Sequence, residues 1–297
     1  MHEVYAYGVL APSTLIELEG GFPSEAGYGE IVAVHPSFGG EAAGGAYVLA
    51  RLGIPTKLAG NRLANDGESR RVIATLSAAG VDCSAIELDD DPPVTEIVFS
   101  AAGERTVFGT YSRMLTGKSW SQPSRRDIES SRFVCLDPFF GDESRKASQW
   151  CREGQIPYVT VDTVPESDIA RFAAALVISE EYANRTFDSA EPAEILAAYT
   201  GSCRGLVILT QGREPLLFGR GGEAPQCQAP FSVAARDTTG AGDSFRAGVI
   251  YGLLRGRSDE EIVRTASAVA AIVCQTAPGV LHSPTEGELN EFLEDRT

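Results

Sequence analysis

The sequence predicts an α/β fold, in which helices cover a buried and largely parallel sheet and a smaller second sheet forms early in the chain. Two observations support this fold class. After residue 132, apolar runs alternate with helical segments, and runs that are apolar on both faces are typical of a buried parallel sheet. Before residue 132, short segments of strand character are separated by turns that contain glycine and proline.

The first hundred or so residues supply the strands of the smaller sheet, and we expect them to form a meander. Two helices interrupt these strands. The first, at 41–52, is rich in Ala and Gly, with Leu49 and Leu52 at helical spacing, and the second, at 66–79, ends at Gly80. The predicted strands are 3–8, 15–18, 31–34, 94–100 and 106–110.

The second half of the chain supplies the core of the larger sheet. Four short apolar runs are separated by helical stretches, as expected for parallel strands joined by crossover helices. We find neither an internal repeat nor a low-complexity linker, so we expect one domain over residues 1–297. The four runs are 133–136, 158–161, 175–178 and 206–209.

Charge narrows the class of partner. The 297 residues carry a formal net charge of -16, whereas a general attraction to nucleic acid or anionic lipid needs clustered Lys and Arg. No run approaches the roughly 20 apolar residues of a membrane span. We therefore expect a small-molecule partner, with no nucleic acid and no membrane.

The spacing of the cysteines and the first residues of the chain indicate the cellular compartment in which the protein is expected. The six cysteines lie far apart, with no C-x-x-C pair and no nearby histidine that would complete a zinc site. The first residues lack both the basic and the long apolar regions of a secretory signal. These features favour a cytoplasmic protein with reduced thiols.

The most informative segment is 237–245, which reads Asp-Thr-Thr-Gly-Ala-Gly-Asp-Ser-Phe and leads into a strongly helical stretch. A loop of small residues before a helix exposes backbone N–H groups at the positive end of the helix dipole. Gly240 and Gly242 let the backbone approach a ligand without a Cβ in the way. The segment therefore predicts an anion-binding site.

Asp243 stands at the start of this helix, beside the predicted anion site. A carboxylate there can accept the proton of a substrate hydroxyl while the N–H groups stabilise a γ-phosphoryl group in transfer. An ordinary N-cap after a glycine turn would also explain Asp243 alone. It would not explain the preceding Gly-Ala-Gly or the second acid, Asp237, six residues upstream.

Segment 237–248 resembles the C-terminal signature of the ribokinase, or PfkB-type carbohydrate kinase, superfamily nearly residue for residue. The resemblance continues along the chain in the family's order. Its other points are Gly39-Gly40, 50–53, Gly60, Asp66-Gly67, 103–106, Asp162, 210–212 and 266–271.

The resemblance implies a three-layer α/β/α domain with a small β-sheet lid, built from strands within about 9–35 and 94–111. It implies transfer of the γ-phosphoryl group of Mg-ATP to an alcohol, usually of a sugar, with Asp243 as base and Gly240, Ala241 and Gly242 as anion hole. A monovalent cation and a homodimer joined through the lid are further features that it allows. The implied nucleotide contacts are Thr238, Thr210, Gly212, Ala271, Cys274 and Gly279, and the implied acceptor positions are Ser13, Gly39, Gly40, Gly44, Arg105 and Asp243.

Two polar anchors that many sugar-specific members carry are missing here. The Asp expected five residues after Gly8 is Ser13, and the Asn expected five residues after Gly39 is Gly44. Each lost anchor removes about 1–3 kcal/mol of buried hydrogen bonding. Three explanations stay open: an unusual polyol or acid as acceptor, a shifted alignment, or a nucleoside or other alcohol as acceptor. Glu41 and Asp66 are candidate replacements, or else solvated acids at helix ends.

The family's Asn-x-x-Glu segment, which assists Mg²⁺ through waters, also differs here. The corresponding residues run Ser179-Glu180-Glu181-Tyr182, and Glu180 or Glu181 could order the waters of the metal or simply form an acidic helix start. Two rival functions also stay open. One is a nucleoside kinase of the same superfamily, and the other is a non-catalytic member that binds ATP.

Overall fold

Strands form one large sheet, one small sheet and a two-stranded ribbon in the computed structural model, which describes residues 2–90, 94–187 and 190–296. In chain order the strands are β1 (Val4–Gly8), β2 (Ala11–Leu18), β3 (Ile31–Gly39), β4 (Thr56–Gly60), β5 (Leu63–Ala64), β6 (Leu88–Asp89), β7 (Glu96–Ala101), β8 (Glu104–Gly109), β9 (Phe133–Leu136), β10 (Tyr158–Val161), β11 (Ala175–Ile178), β12 (Leu206–Gln211), β13 (Glu214–Gly219) and β14 (Gln226–Gln228).

Helices connect most of the strands of the large sheet, and two short 3-10 turns, Pro138–Phe140 and Gly279–His282, supplement them. Within the described ranges, none of the helices combines the length and the apolarity needed to cross a bilayer. In chain order the α-helices are α1 (Glu41–Arg51), α2 (Gly67–Ala78), α3 (Tyr111–Gly117), α4 (Arg125–Glu129), α5 (Asp142–Glu153), α6 (Asp168–Arg171), α7 (Glu180–Thr186), α8 (Pro192–Thr200), α9 (Ala241–Leu254), α10 (Asp259–Cys274) and α11 (Glu286–Glu294).

The large sheet has the strand order β14-β13-β12-β11-β10-β9-β1-β4, and it is parallel from β12 to β4. Strands β13 and β14 pair antiparallel at one edge. Because parallel strands all end at one edge of a sheet, the loops that follow β1, β9, β10 and β12 meet there. This edge carries the candidate site.

The two faces of the large sheet carry separate apolar cores. Side chains alternate along a strand, so Val4 and Ala6 of β1 enter the core under α1, α9 and α10, whereas Tyr5 and Tyr7 enter the core under α4, α5 and α6. A third cluster fills the space under α7 and α8. The predicted three-layer α/β/α arrangement is confirmed.

The small sheet, here called the lid, has the strand order β3-β2-β7-β8. The expected meander is wrong in two respects. The first predicted strand, β1, joins the large sheet, and β2 pairs with β7 in parallel rather than antiparallel, with Ser13 opposite Glu96. A parallel pair needs a long crossover, which here includes α1 and α2, and local sequence does not show that pairing.

Strands β7 and β8 lie within the expected lid segment of about 94–111, whereas β3 passes the end of the other expected segment, about 9–35. Strand β3 continues through Pro36 to Gly39, directly before α1. Proline lacks the N–H that a central strand needs, but β3 is an edge strand, where proline is tolerated. The lid strands therefore span 11–39 and 96–109, and the lid reaches further toward α1 than the sequence indicated.

Candidate active site

The loop before α9 forms the centre of the site. Gly240 caps the helix with φ of 76°, a left-handed conformation that favours glycine. The N–H groups of Gly242 and Asp243 donate to no other described residue, whereas Ala241 N–H donates to Thr238 O at 3.2 Å. These two donors lie at the positive end of a 14-residue helix, an arrangement that can bind an anion.

Asp237 fixes the shape of this loop. Its carboxylate is fully buried and accepts hydrogen bonds from Thr239 N at 2.9 Å and from Gly279 N at 3.1 Å. Arg236 N–H also donates to Cys274 O at 2.8 Å. The loop before α9 and the loop after α10 are thereby held side by side, which brings Cys274 and Gly279 next to Thr238.

Asp243 is packed against α1 at Gly44. A Cβ at Gly44 would lie 2.8 Å from Cβ and 3.0 Å from Oδ2 of Asp243. Burial raises the pKa of Asp243 to about 6, with Asp137 and Glu96 adding to the rise and Arg246 and Arg105 opposing it. Gly44 thus leaves space for the proposed base, and its lack of a side chain is a packing requirement.

Arg246, one turn further along α9, is fully buried, and sequence reasoning missed it. Its Nη1 donates to Oδ1 of Asp137 at 2.5 Å, and its Nη2 donates to Glu41 O. Oδ2 of Asp137 accepts the Val9 N–H at 2.7 Å. The pair joins α9 to the ends of β9 and β1 and to the start of α1. The available signals were an arginine within an apolar helix and an acid directly after a core strand.

Glu41 begins α1 after Gly40, which has φ of 94°. Any other residue at position 40 would place its Cβ 2.4 Å from Val9 O. Burial, together with Asp137 and Asp243, raises the pKa of Glu41 to about 8. The side chain therefore belongs to the same electrostatic environment as Asp243. Asp66, the other candidate replacement, caps α2 by accepting the Ser69 N–H at 2.8 Å, which is the ordinary helix-end role.

Glu96 and Tyr111 bring a further acid to the site from the lid, and sequence reasoning missed both. Glu96 is 7% exposed and accepts the Tyr111 hydroxyl at 2.5 Å through Oε2. Its Oε1 lies 1.9 Å from the place that a Cβ at Gly39 would take, so any side chain at 39 would displace this carboxylate. Ser13, a predicted acceptor position, is buried next to Glu96 in the sheet.

The lid contacts the loop before α9 directly. Glu17 of β2 accepts from Arg236 Nε at 3.0 Å and forms an ion pair with His35 at 2.5 Å. The Ser100 hydroxyl donates to Arg236 O at 3.3 Å. Arg105, the predicted lid contact to the acceptor, donates to Thr238 O at 3.4 Å. Arg105 therefore contacts the loop before α9.

The predicted metal residues, and the predicted nucleotide residues Thr210 and Gly212, lie at the ends of β11 and β12. Gly212 has φ of 58°, and a Cβ there would lie 3.1 Å from Oε2 of Glu180. Glu180 and Glu181 are exposed in the first turn of α7, and Thr210 donates to Ile178 O at 3.3 Å. Ala271, in the last turn of α10, precedes Cys274.

Ser179 replaces the family's Asn and holds the start of α7. Its N–H and hydroxyl both donate to the Asp162 carboxylate at 2.8 Å, and its oxygen accepts the Tyr182 N–H at 3.1 Å. Among the described residues, no group of three His, Cys, Asp or Glu side chains is arranged to hold a metal ion. An ion here would depend on phosphate and water ligands as well as on Glu180 or Glu181.

Comparisons with known proteins agree with this geometry. The sequence pattern of the pfkB family carbohydrate kinases matches residues 1–285. The ribokinase of Bacillus subtilis (strain 168) is 24% identical over 264 residues, which cover 86% of this chain and 87% of that protein.

Two solved structures share the fold over nearly the whole chain. The Arabidopsis thaliana ribokinase, complexed with ribose and ATP, is similar with a TM-score of 0.80 and 20% identity, covering 99% of each chain. The nucleoside kinase of Methanocaldococcus jannaschii also has a TM-score of 0.80, at 17% identity, covering 100% of this chain and 99% of that one.

Proposed function

This chain belongs to the pfkB family and is an ATP-dependent carbohydrate kinase, and from that premise we propose that Asp243 is its catalytic base and that an alcohol group of a sugar or sugar derivative is its acceptor. One observation supports the proposal most directly. A carboxylate and two free N–H donors, those of Gly242 and Asp243, stand together at the start of α9. Base and anion site are thus adjacent.

In the proposed step the acceptor hydroxyl gives its proton to Asp243 as its oxygen bonds to the γ-phosphorus of ATP. The bond from that phosphorus to the bridging β–γ oxygen breaks, and ADP leaves. The N–H groups of Gly242 and Asp243 offset the negative charge of the phosphoryl group in transfer. Bound Mg²⁺ supplies further positive charge at the phosphates.

We propose that the residues predicted to contact ATP do so. Thr238 and the loop after α10 lie side by side because of Asp237, which supports a shared role for Thr238, Cys274 and Gly279. Thr210 and Gly212 lie at the end of β12, on the same sheet edge, and Ala271 lies in the last turn of α10. These positions support their proposed contacts with the nucleotide. Glu180, adjacent to Gly212, is the better placed of the two acids to order waters around Mg²⁺.

A monovalent cation fits the same two loops. Asp237 is a fully buried carboxylate that accepts hydrogen bonds from the backbone N–H groups of Thr239 and Gly279. Thr239 Oγ1 and Thr276 Oγ1 are buried without a hydrogen-bond partner among the described residues. Hard cations take such oxygen ligands. We propose a K⁺ or Na⁺ site there, which an increase in activity with added K⁺ at constant ionic strength would support.

A homodimer through the lid is supported by exposed apolar side chains. Val32 and Val34 of β3 are 62% and 56% exposed, and Phe108 of β8 is 53% exposed. Contiguous apolar surface and open edge strands are features of interaction sites. Sedimentation of the wild-type protein and of Val34→Lys tests this, and a wild-type monomer at micromolar concentration contradicts it.

All six cysteines are free, which supports a reducing, cytoplasmic setting.

The test of the function is ADP release with Mg-ATP against a panel of ketoses, aldoses, polyols, sugar acids and nucleosides. Asp243→Asn should lower kcat by orders of magnitude while the affinity for ATP, measured by calorimetry, stays nearly unchanged. Comparable turnover by this variant would refute the assignment of the base. Turnover of nucleosides alone would favour the nucleoside kinase, and ATP binding without turnover of any acceptor would favour the non-catalytic alternative.

A further inference from the structure

Glu96 is placed where the missing anchor of the lid would be needed. In the lid, β2 and β7 are adjacent parallel strands, and Ser13 of β2 is in register with Glu96 of β7. Residues in register on neighbouring strands point to the same side of a sheet. A carboxylate is therefore present one strand away from Ser13, on the same face of the lid.

One oxygen of Glu96 is already used, and the other is available. Oε2 accepts the Tyr111 hydroxyl at 2.5 Å, which fixes the carboxylate. Oε1 accepts no hydrogen bond from any described residue, although Glu96 is only 7% exposed. Oε1 is not among the fully buried oxygens that lack a partner in the described part of the chain, so a ligand can reach it and donate a hydrogen bond to it.

The start of α1 separates this oxygen from the base. Oε1 of Glu96 lies against Gly39, and Asp243 lies against Gly44. Gly39 directly precedes Gly40, which caps α1, and Gly44 lies about 6 Å beyond Gly40 along the helix axis. Glu96 and Asp243 are also close enough that Glu96 contributes to the raised pKa of Asp243. One acceptor molecule lying along the first turn of α1 can contact both carboxylates.

The charges around this space favour an uncharged acceptor. Oε1 of Glu96 lies at Gly39 and the carboxylate of Asp243 lies at Gly44, so two acids face the first turn of α1. Burial, then Glu96, Glu41 and Asp243, raise the pKa of the Tyr111 hydroxyl. Glu41, with its pKa raised to about 8, is largely protonated at neutral pH. The charge of Asp137 is offset by Arg246, and Arg105, which lowers the pKa of Asp243, has its guanidinium bound to Thr238 O in the loop before α9. A carboxylate or phosphate on an acceptor that lies between Glu96 and Asp243 would be repelled by these two carboxylates.

We propose that Glu96, oriented by Tyr111, is the residue that anchors the acceptor, and that the acceptor is an uncharged polyol, either a sugar or a cyclitol. The proposal rests on the kinase function proposed above. Oε1 of Glu96 accepts a hydrogen bond from one hydroxyl group while a second hydroxyl group faces Asp243. Glu96 thereby determines specificity, and Tyr111 is a positioning residue.

Steady-state kinetics with neutral polyols and with their carboxylate and phosphate analogues of equal carbon number test the proposal. The wild-type enzyme should prefer the neutral acceptor by about 100-fold or more in kcat/KM. Glu96→Gln should raise the KM for the acceptor about 10- to 100-fold and leave the KM for ATP nearly unchanged. In this variant the ratio of kcat/KM for the neutral acceptor to kcat/KM for its carboxylate analogue should also be smaller than in the wild type. A purely structural role of Glu96 would not change this ratio.

Two further variants separate anchoring from folding. Tyr111→Phe keeps the carboxylate and removes its hydrogen bond, so a smaller rise in the acceptor KM, about 3- to 10-fold, is expected. Glu19→Gln, at an exposed acid of the same lid, is the matched control and should match the wild type. Preference of the wild type for an anionic acceptor, or an unchanged acceptor KM in Glu96→Gln, overturns the proposal while leaving the kinase function intact. Silence toward every acceptor overturns both.

Discussion

Nη1 of Arg246 lies 2.5 Å from Oδ1 of Asp137, and neither side chain has any exposed surface. The pair connects α9, which carries the proposed base, to the end of β9. A buried ion pair contributes little net stability over a well-packed apolar pair, but loss of one partner leaves an uncompensated charge. The relationship therefore leads to a prediction about stability.

Arg246→Met should lower the free energy of unfolding by about 3–5 kcal/mol, because Asp137 would remain buried and unpaired. Urea denaturation followed by circular dichroism measures this. The double variant Arg246→Met with Asp137→Asn should be less destabilised than the sum of the single variants. Arg255→Met, at a half-exposed ion pair at the end of α9, is the control and should cost about 1 kcal/mol or less. Equal losses in both arginine variants would contradict the argument.

Activity should depend on pH through Asp243, whose pKa is raised to about 6. A base must be ionised, so kcat should fall as the pH drops below about 6. A pH profile of kcat with saturating substrates shows this, and Arg246→Lys should shift the acidic limb if the guanidinium tunes Asp243. A flat profile between pH 5 and 8 would contradict the assignment.

The contribution of Asp243 to the free energy of unfolding should change with pH in the direction opposite to kcat. Since the pKa of Asp243 is raised in the folded state, the folded protein binds the proton more tightly than the unfolded chain, and this contribution is lost as the pH rises through about 6. Asp243→Asn should therefore raise the free energy of unfolding at pH 7 by about 1–2 kcal/mol. Thermal unfolding at pH 4 and pH 7 tests it: the gain should be small near pH 4, grow as the pH rises from about 4 to about 6, and be complete at pH 7.

Gly44→Ala should lower kcat by about tenfold or more, because a Cβ at 44 would lie 2.8 Å from Cβ of Asp243 and displace it. ATP affinity should not change, since the free N–H groups of α9 remain. Gly67→Ala is the matched control, because no atom lies within 4 Å of the added methyl group. If the two variants have equal turnover, Gly44 does not position the base.

Glu17→Gln should weaken the contact between the lid and the loop before α9, because Glu17 binds both Arg236 and His35. Loss of one partly exposed ion pair corresponds to about 1 kcal/mol, so the KM for ATP should rise about 3- to 5-fold. Initial rates over a range of ATP concentrations measure the change. Glu25→Gln, at an exposed lid residue, provides the baseline, and an identical KM in both variants would show that the contact has no effect on nucleotide binding.

Local sequence predicted the elements that depend on local pattern. Strands β9, β10 and β11 have the bounds that their apolar runs indicated, and the loop before α9 has the glycine geometry that its sequence requires. The parallel pairing of β2 with β7 was missed because it joins segments about eighty residues apart. Glu96 and Asp137 were missed for the same reason: each gains its role from a partner, Tyr111 or Arg246, on another element.

The parallel pairing of β2 with β7 has a consequence for how acceptor preference can change. The lid strands come from two chain segments that contribute no strand to the large sheet, whereas the proposed nucleotide residues lie beyond residue 178. On the proposal made above, a substitution at position 96 alters which alcohol is taken without touching the ATP-binding loops. New specificities can thus arise in one half of the molecule while the chemistry of the other half is inherited unchanged.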